Sequence, residues 1–272
     1  MPIRAEAPMR RLARLAPLAP LARIVPLLLF VAAWHLVGVA GLVDPAFLPP
    51  PGRVAVALVD LLRGGQIGDN IAVTLLRAFT GLALGATAGV WIGVMMARSE
   101  VFDAYAAPLV GATYSLPKSA LVPLFILWFG IGSTTAICAT FLACLLPVVV
   151  NTHHGVATTP KVLVWSAQAM GFSDREMLGR VFLMHALPDI MTGLRIALGF
   201  SFVLAISSEM IAANSGIGKL IFMYGENGTY DYMFAAITSV VAVAFSADRA
   251  LLAVTHRILR WHDSAVPAAD AA

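Results

Sequence analysis

Six long apolar stretches, at 24–43, 71–97, 106–129, 133–152, 190–212 and 232–256, dominate the chain and limit what it can become. Each is close to the roughly 20 residues an α-helix needs to cross a hydrocarbon core about 30 Å thick. Charged residues make up only 12% of the 272 positions, against about a quarter in a soluble globule. There is too little polar surface here to face water on all sides. The sequence therefore predicts an all-α membrane protein with six transmembrane helices and no room for a large extramembrane domain.

The charges orient the spans. Arg4, Arg10, Arg11, Arg14 and Arg23 precede the first, Arg98 lies between the second and third, Lys161, Arg175 and Arg180 lie between the fourth and fifth, and Arg257 and Arg260 follow the last. Arg53, Arg63 and Lys219 on the other side are offset by Asp44, Asp60, Asp69, Glu226 and Asp231. Basic loops stay in the cytoplasm, which predicts both termini there. The expected organisation is a basic cytoplasmic segment over 1–23, a six-span domain over 24–260 and a tail over 261–272. The first apolar stretch is too long for a signal peptide, and the residues after Arg10-Arg11 do not continue a twin-arginine signal. A net charge of +3 follows from the inside loops and does not point to nucleic acid.

Local signals refine the spans. Gly81, Gly85, Gly89 and Gly93 recur every four positions and lay a flat stripe along one face of the second span, where another helix backbone can approach closely. Pro117 and Pro123 each remove a backbone donor, so the third span should be kinked or partly unwound, which a membrane tolerates where protein or a watery cavity surrounds the backbone. The connection over 44–70, opened by Pro45, Pro49, Pro50 and Pro51, predicts a short amphipathic helix over 53–63 lying on the outer surface.

Catalytic chemistry finds little support. Gly216-Ile217-Gly218-Lys219 lacks both the earlier glycine and the following Ser or Thr of a phosphate-binding loop. Ser201 lacks the glycine that would complete a nucleophile elbow. His153 and His154 are adjacent and point about 100° apart on a helix, a poor arrangement for one metal. Cys138 and Cys144 share one apolar run and read as small buried hydrophobes. Neither a metal nor a cofactor is expected.

The cytoplasmic loop over 153–189 carries the most distinctive signal. It reads Trp165-Ser166-Ala167-Gln168-Ala169-Met170-Gly171, then Phe172-Ser173-Asp174-Arg175-Glu176 and an amphipathic run to Leu187-Pro188. Gly171 should end one short helix, and Ser173 with Glu176 forms a capping box that starts a second. Two short helices at an angle, with small residues on one face, suit either a docking element for a cytosolic partner or a compact connector.

This loop resembles the "EAA" loop of the permease subunits of bacterial ABC importers. Two further stretches, from Leu116-Pro117-Lys118 to Phe129-Gly130-Ile131-Gly132 and from Glu209-Met210-Ile211 to Asn214-Ser215-Gly216-Ile217-Gly218, are similar to the subfamily importing sulfonates, taurine, nitrate and related solutes. The resemblance covers roughly 50–260. It implies a type I importer permease fold in a bacterial inner membrane, a second permease copy forming a homodimer, two cytosolic ATPase subunits and a periplasmic solute-binding protein. ATP hydrolysis would then belong to a separate chain. The coupling positions it implies are Trp165, Ser166, Ala167 and Gly171. Trp165 stands where the family has its acidic residue, Ser166 replaces the second alanine-type position, and Met184 stands where a proline is usual.

Ionisable or polar residues inside spans are costly and so mark function. Lys118, Glu209 and Asn214 are the candidates for the translocation pathway. Lys118 reads as a cation favouring an anionic solute or as a structural lysine that bonds carbonyls freed beside Pro117, and Glu209 and Asn214 suit packing at the outer gate rather than contact with solute. Arg77 lies near the outer start of its span, and Arg195 and Asp248-Arg249 sit near inner ends where snorkelling accounts for them. A self-contained secondary transporter or channel is the alternative reading. The few intramembrane charges form no proton relay, and no inverted repeat is evident.

Overall fold

A computed structural model describes residues 19–261. Arg4, Arg10, Arg11 and Arg14 of the basic segment and the tail beyond Trp261 lie outside the described residues. Among those described, every regular element is helical.

The helices, in chain order, are α1 (Ala19–Val39), α2 (Pro51–Arg63), α3 (Gln66–Arg98), α4 (Glu100–Tyr114), α5 (Val122–Phe129), α6 (Ser133–Ala157), α7 (Lys161–Ala169), α8 (Asp174–Met177), α9 (Leu183–Ala212), α10 (Ile217–Glu226) and α11 (Tyr230–Ile258). Among the described residues, four helical runs are long and apolar enough to cross a membrane: α3, α6, the combined run Asp174–Ala212, and α11. A fifth is reached if α4 and the segment Lys118–Phe129, bent by 91°, count as one. The expected first span over 24–43 ends at Val39, and its apolar helical part, Ile24–Val39, is shorter than those four.

Helix α6 is the centre of the bundle, packed between α3 and α9. The reason on the α3 side is the glycine stripe. A Cβ on Gly81, Gly85, Gly89 or Gly93 would come within 2.6, 2.8, 2.8 or 2.7 Å of Thr140, Cys144, Val148 or Thr152. These partners advance by four residues as the glycines do, so the two helices run parallel, backbone against backbone. Where lipid tails are as apolar as leucine, such close packing rather than water exclusion holds helices together. On the other side α9 runs antiparallel to α6. Gly193 faces Asn151 and Pro147, and Gly155 faces Ala186, with Cβ approaches of 2.9 Å.

The expected third span is broken more completely than a kink. Helix α4 stops at Tyr114, Pro117 precedes a single 3₁₀ turn over Lys118–Leu121, and α5 starts beyond it. Pro123 does not bend α5, because it falls in the first turn, where its missing N–H costs nothing. Val122 anchors the break against Ala139, Ala143 and Leu204.

The connection after α1 contains the expected amphipathic helix. Pro51 occupies the first turn of α2, and Val54, Ala57 and Leu61 face inward to Ile67 and Ala235, the spacing of one helical face.

The loop over 153–189 differs from expectation. Helix α6 continues to Ala157, and the capping box at Ser173 does start a helix, with Ser173 Oγ accepting from the Glu176 N–H and Glu176 Oε2 accepting from the Ser173 N–H at 3.0 Å. That helix is not a separate short element. A π-helical turn at Leu178–Phe182 joins α8 to α9, giving one run from Asp174 to Ala212. Pro188 lies inside it, where it forfeits a backbone hydrogen bond and crowds the carbonyl of the preceding turn, a place where a helix bends without ending.

Candidate functional site

Two places concentrate polar or exposed character against the apolar background. They lie at opposite ends of the bundle.

At the end where α3 begins and α9 finishes, the glycine face of α3 continues outward as Arg77, Thr74 and Asn70. All three reach across to the chain around Glu209. Glu209 is fully buried and its carboxylate is surrounded by donors: Arg77 Nη1 at 2.9 Å from Oε1, Thr74 Oγ1 at 2.8 Å and the Gly218 N–H at 3.0 Å, both from Oε2. The Arg77 guanidinium, only 2% exposed as a residue, also donates to the Ser215 carbonyl at 2.7 Å, to Ser215 Oγ at 3.1 Å and to Ser133 Oγ at 3.0 Å. Asn70 Oδ1 accepts from the Gly216 N–H at 2.6 Å, and Thr74 Oγ1 accepts from the Ile217 N–H at 3.0 Å.

This cage ties α3, α6, α9 and the start of α10 into one unit. Two charges removed from water are tolerable only because further hydrogen bonds satisfy both groups. Glycines are required beside them: Gly216 has φ +108° and a Cβ there would collide with the Glu209 carboxylate, and one on Gly218 would press on Glu209 Cβ and the Ile206 carbonyl. Glu209 thus faces the interior of the chain. Asn214, in the short turn before the cage, is exposed.

Lys118 sits at the break between α4 and α5. Its Nζ donates to the Tyr114 carbonyl at 2.6 Å, one of the acceptors freed where α4 stops, and lies 5.3 Å from the centre of the Tyr114 ring. An ammonium has three donors.

Sequence reasoning singled out Glu209 and Arg77 as costly charges but did not pair them, and it missed Thr74, Asn70, Ser133 and Ser215. A signal was present on α3: positions 70, 74, 77 and 81 extend the same helical face. Arg195 and Asp248 are not merely snorkelling. They form a two-point ion pair between α9 and α11, Nε to Oδ1 at 2.7 Å and Nη2 to Oδ2 at 3.1 Å.

At the other end α7 projects between two long helices and rests against the π-helical turn. Ala167 faces inward and is buried, whereas Val162 (61%), Trp165 (63%) and Met170 (67%) are largely exposed. Ser166 is exposed as well. Gly171, with φ +80°, reverses the chain after α7 in a conformation that side chains disfavour.

A close-packed bundle of long apolar helices, with one apolar helix pair sharply broken and a short exposed helix between two others, is the architecture of a polytopic membrane protein. Solved structures share this fold. The methionine ABC transporter MetNI in an inward-facing form matches at a TM-score of 0.60 and 19% identity, covering 70% of this chain and 94% of that one. An amino acid ABC transporter crystallised with histidines matches at 0.58 and 16%, covering 75% and 97%.

The chain belongs to the family described as binding-protein-dependent transport system inner membrane component, which matches residues 72–260. It is accordingly a multi-pass inner-membrane protein and an importer permease. Among its relatives is the taurine transport system permease protein TauC of Escherichia coli (strain K12), 31% identical over 87% of this chain and 88% of the relative. SsuC of the same organism, named for aliphatic sulfonates transport, is 32% identical over 85% and 88%. The formylaminopyrimidine transport permease protein ThiX of Halalkalibacterium halodurans is 31% identical over 64% and 70%.

Proposed function

We propose that this chain forms half of the translocation unit of an ATP-driven importer and passes a small anionic solute, an aliphatic sulfonate, taurine, nitrate or a similar compound, into the cytoplasm. Two copies enclose the path, two cytosolic ATPase subunits supply the energy, and a periplasmic binding protein delivers the solute. In this reading α1 and the α4–α5 pair complete six spans, with both termini in the cytoplasm. The basic residues before α1 and after α11 support that orientation. The taurine and sulfonate relatives support the solute class.

The observation that carries the proposal is α7, an apolar helix left in the open at the end of a protein whose other long faces meet helices or lipid. Trp165, Ser166, Ala167 and Gly171 form the coupling site: Trp165 enters an apolar pocket on the ATPase, Ser166 allows close approach, and Ala167 and Gly171 hold the helix in place. A large aromatic supplies the contact that an acidic residue makes elsewhere in the family, so the partner surface is apolar. Truncating a central tryptophan of an interface costs on the order of 2 kcal/mol, about thirtyfold in affinity. Trp165→Ala should therefore lose co-purification with the ATPase and the ATPase activity that solute-loaded binding protein elicits. Unchanged ATPase retention would sink this assignment.

Lys118 serves the pathway in this reading. One of its donors stabilises the end of α4, and the other two, with the charge, remain for a passing anion. Lys118→Ala is expected to raise the apparent KM for anion uptake about fivefold, the worth of one charge at roughly 1 kcal/mol, with Lys118→Arg largely restoring it. Normal uptake by Lys118→Ala would leave the lysine only its structural contact.

A further inference from the structure

Between α9 and α11 runs an open apolar groove of about 780 Å³ that no part of the described chain fills. Ile196, Val203 and Ile206 of α9 form one wall, and Val240, Val241 and Phe245 of α11 form the other. Helix α11 is the least covered of the four long apolar helices, almost all of its apolar length facing outward from the chain. The α9 wall from Arg195 to Ile206 is about 16 Å long at 1.5 Å per residue.

The groove has one charged end. Arg195 and Asp248 both line it, and Arg249 reaches the same carboxylate, with Nη2 at 3.3 Å from Asp248 Oδ2, while its guanidinium lies 5.1 Å from the centre of the Phe245 ring. Two guanidiniums share one carboxylate, leaving one positive charge uncompensated. All three side chains remain accessible, Arg195 at 49%, Arg249 at 57% and Asp248 at 26%.

The depth of this cluster is set by the helices. From the far end of α9 at Ala212 back to Arg195 is about 26 Å, and from the start of α11 at Tyr230 to Asp248 about 27 Å. Both approach the thickness of the hydrocarbon core, about 30 Å. With the α10 end at one membrane interface, the cluster falls at the headgroup level of the opposite leaflet.

We propose that this groove is a binding site for an anionic phospholipid. The headgroup phosphate meets Arg195 and Arg249, and an acyl chain lies between Val203 and Val241. The uncompensated charge selects anionic headgroups over zwitterionic ones, and the apolar walls hold the chain without regard to headgroup. The site stands on the membrane placement of the chain and is independent of the solute and of the coupling helix.

Glycine 199 offers a clean test, since it lines the groove and a Cβ there would meet nothing within 4 Å. The full chain, purified in detergent and stripped of lipid, is titrated with phosphatidylglycerol and phosphatidylcholine of identical chains and read by native mass spectrometry. Phosphatidylglycerol should bind about fivefold more tightly, the worth of one basic side chain at an anionic headgroup. Arg249→Gln should abolish that preference while leaving chain binding, and Gly199→Phe should weaken both lipids. Val241→Trp repeats the filling from the other wall should Gly199→Phe fold poorly. Equal affinity for the two lipids, or undiminished binding in both filled variants, overturns the proposal. So does disulfide formation between two copies carrying Val241→Cys, which would assign the groove to a second copy of the chain. Uptake assays on the same variants keep this result separate from the importer assignment.

Discussion

Replacing Arg77 by alanine should destabilise the protein by about 3–5 kcal/mol, the usual cost of leaving one partner of a buried ion pair alone. Glu209 would keep the Thr74 hydroxyl and the Gly218 N–H, but no cation would balance it inside a fully enclosed site. Ser215 and Ser133 would lose their donor at the same time. The damage should spread to the start of α10, whose first turn hangs from this cage. In a chain of this length 1 kcal/mol corresponds to about 2–4 °C, so thermal melting should fall by roughly 10 °C. The companion experiment removes both charges in Arg77→Met with Glu209→Met. Because the desolvation cost disappears along with the attraction, the double variant should melt above either single one. An Arg77→Ala protein melting within about 2 °C of the parent would contradict the pairing.

The second large effect is expected on the glycine face. Substituting Gly85 by alanine would ordinarily favour a helix by about 1 kcal/mol. Here the added Cβ would lie 2.8 Å from Cys144 Cβ, 2.9 Å from the Phe141 carbonyl and 3.1 Å from the Leu145 nitrogen. Two of those three atoms are backbone, so no side chain can swing away. Forcing extra carbon into such a contact costs about 1–3 kcal/mol, more than the propensity gain. Gly85→Val should be worse, with loss of folded protein in the membrane. Gly111, in α4, provides the control, because a Cβ there meets nothing within 4 Å. Gly111→Ala should leave expression and melting unchanged or slightly raised. Equal behaviour of the two alanine variants would show that α3 and α6 do not touch along the stripe.

How far the sequence discloses this protein depends on whether a signal is local. The four-residue glycine period, the proline break at 117 and the capping box at Ser173 each act within a turn or two of helix, and each leaves a pattern that can be read directly. The Arg77–Glu209 pair spans 132 positions, and spacing along one helix shows which residues share a face without naming what stands opposite. The long run from Asp174 was obscured by Pro188, which resembles a boundary, and by a π-helical turn in Leu178–Phe182 that no glycine or proline announces. Asn214 and Glu209, five residues apart, part company because a short turn exposes one while the helix buries the other. The exposed α7 was legible as a short helix ended by Gly171, although which of its side chains face outward required the fold.

The run from Asp174 to Ala212 has a mechanical consequence. Thirty-nine residues of continuous helix make a rod about 58 Å long, nearly twice the hydrocarbon thickness. The capping box and α7 load one end, and the carboxylate cage loads the other. Tilting such a rod by about 10° around its midpoint carries each end about 5 Å, in opposite directions. Because the cage and the α6 contact tie this rod to its neighbours, such a tilt would be shared by the packed unit and would displace its two ends in opposite directions. The π-helical turn at Leu178–Phe182 and Pro188 are the two places along the shaft where a bend or twist can be taken up.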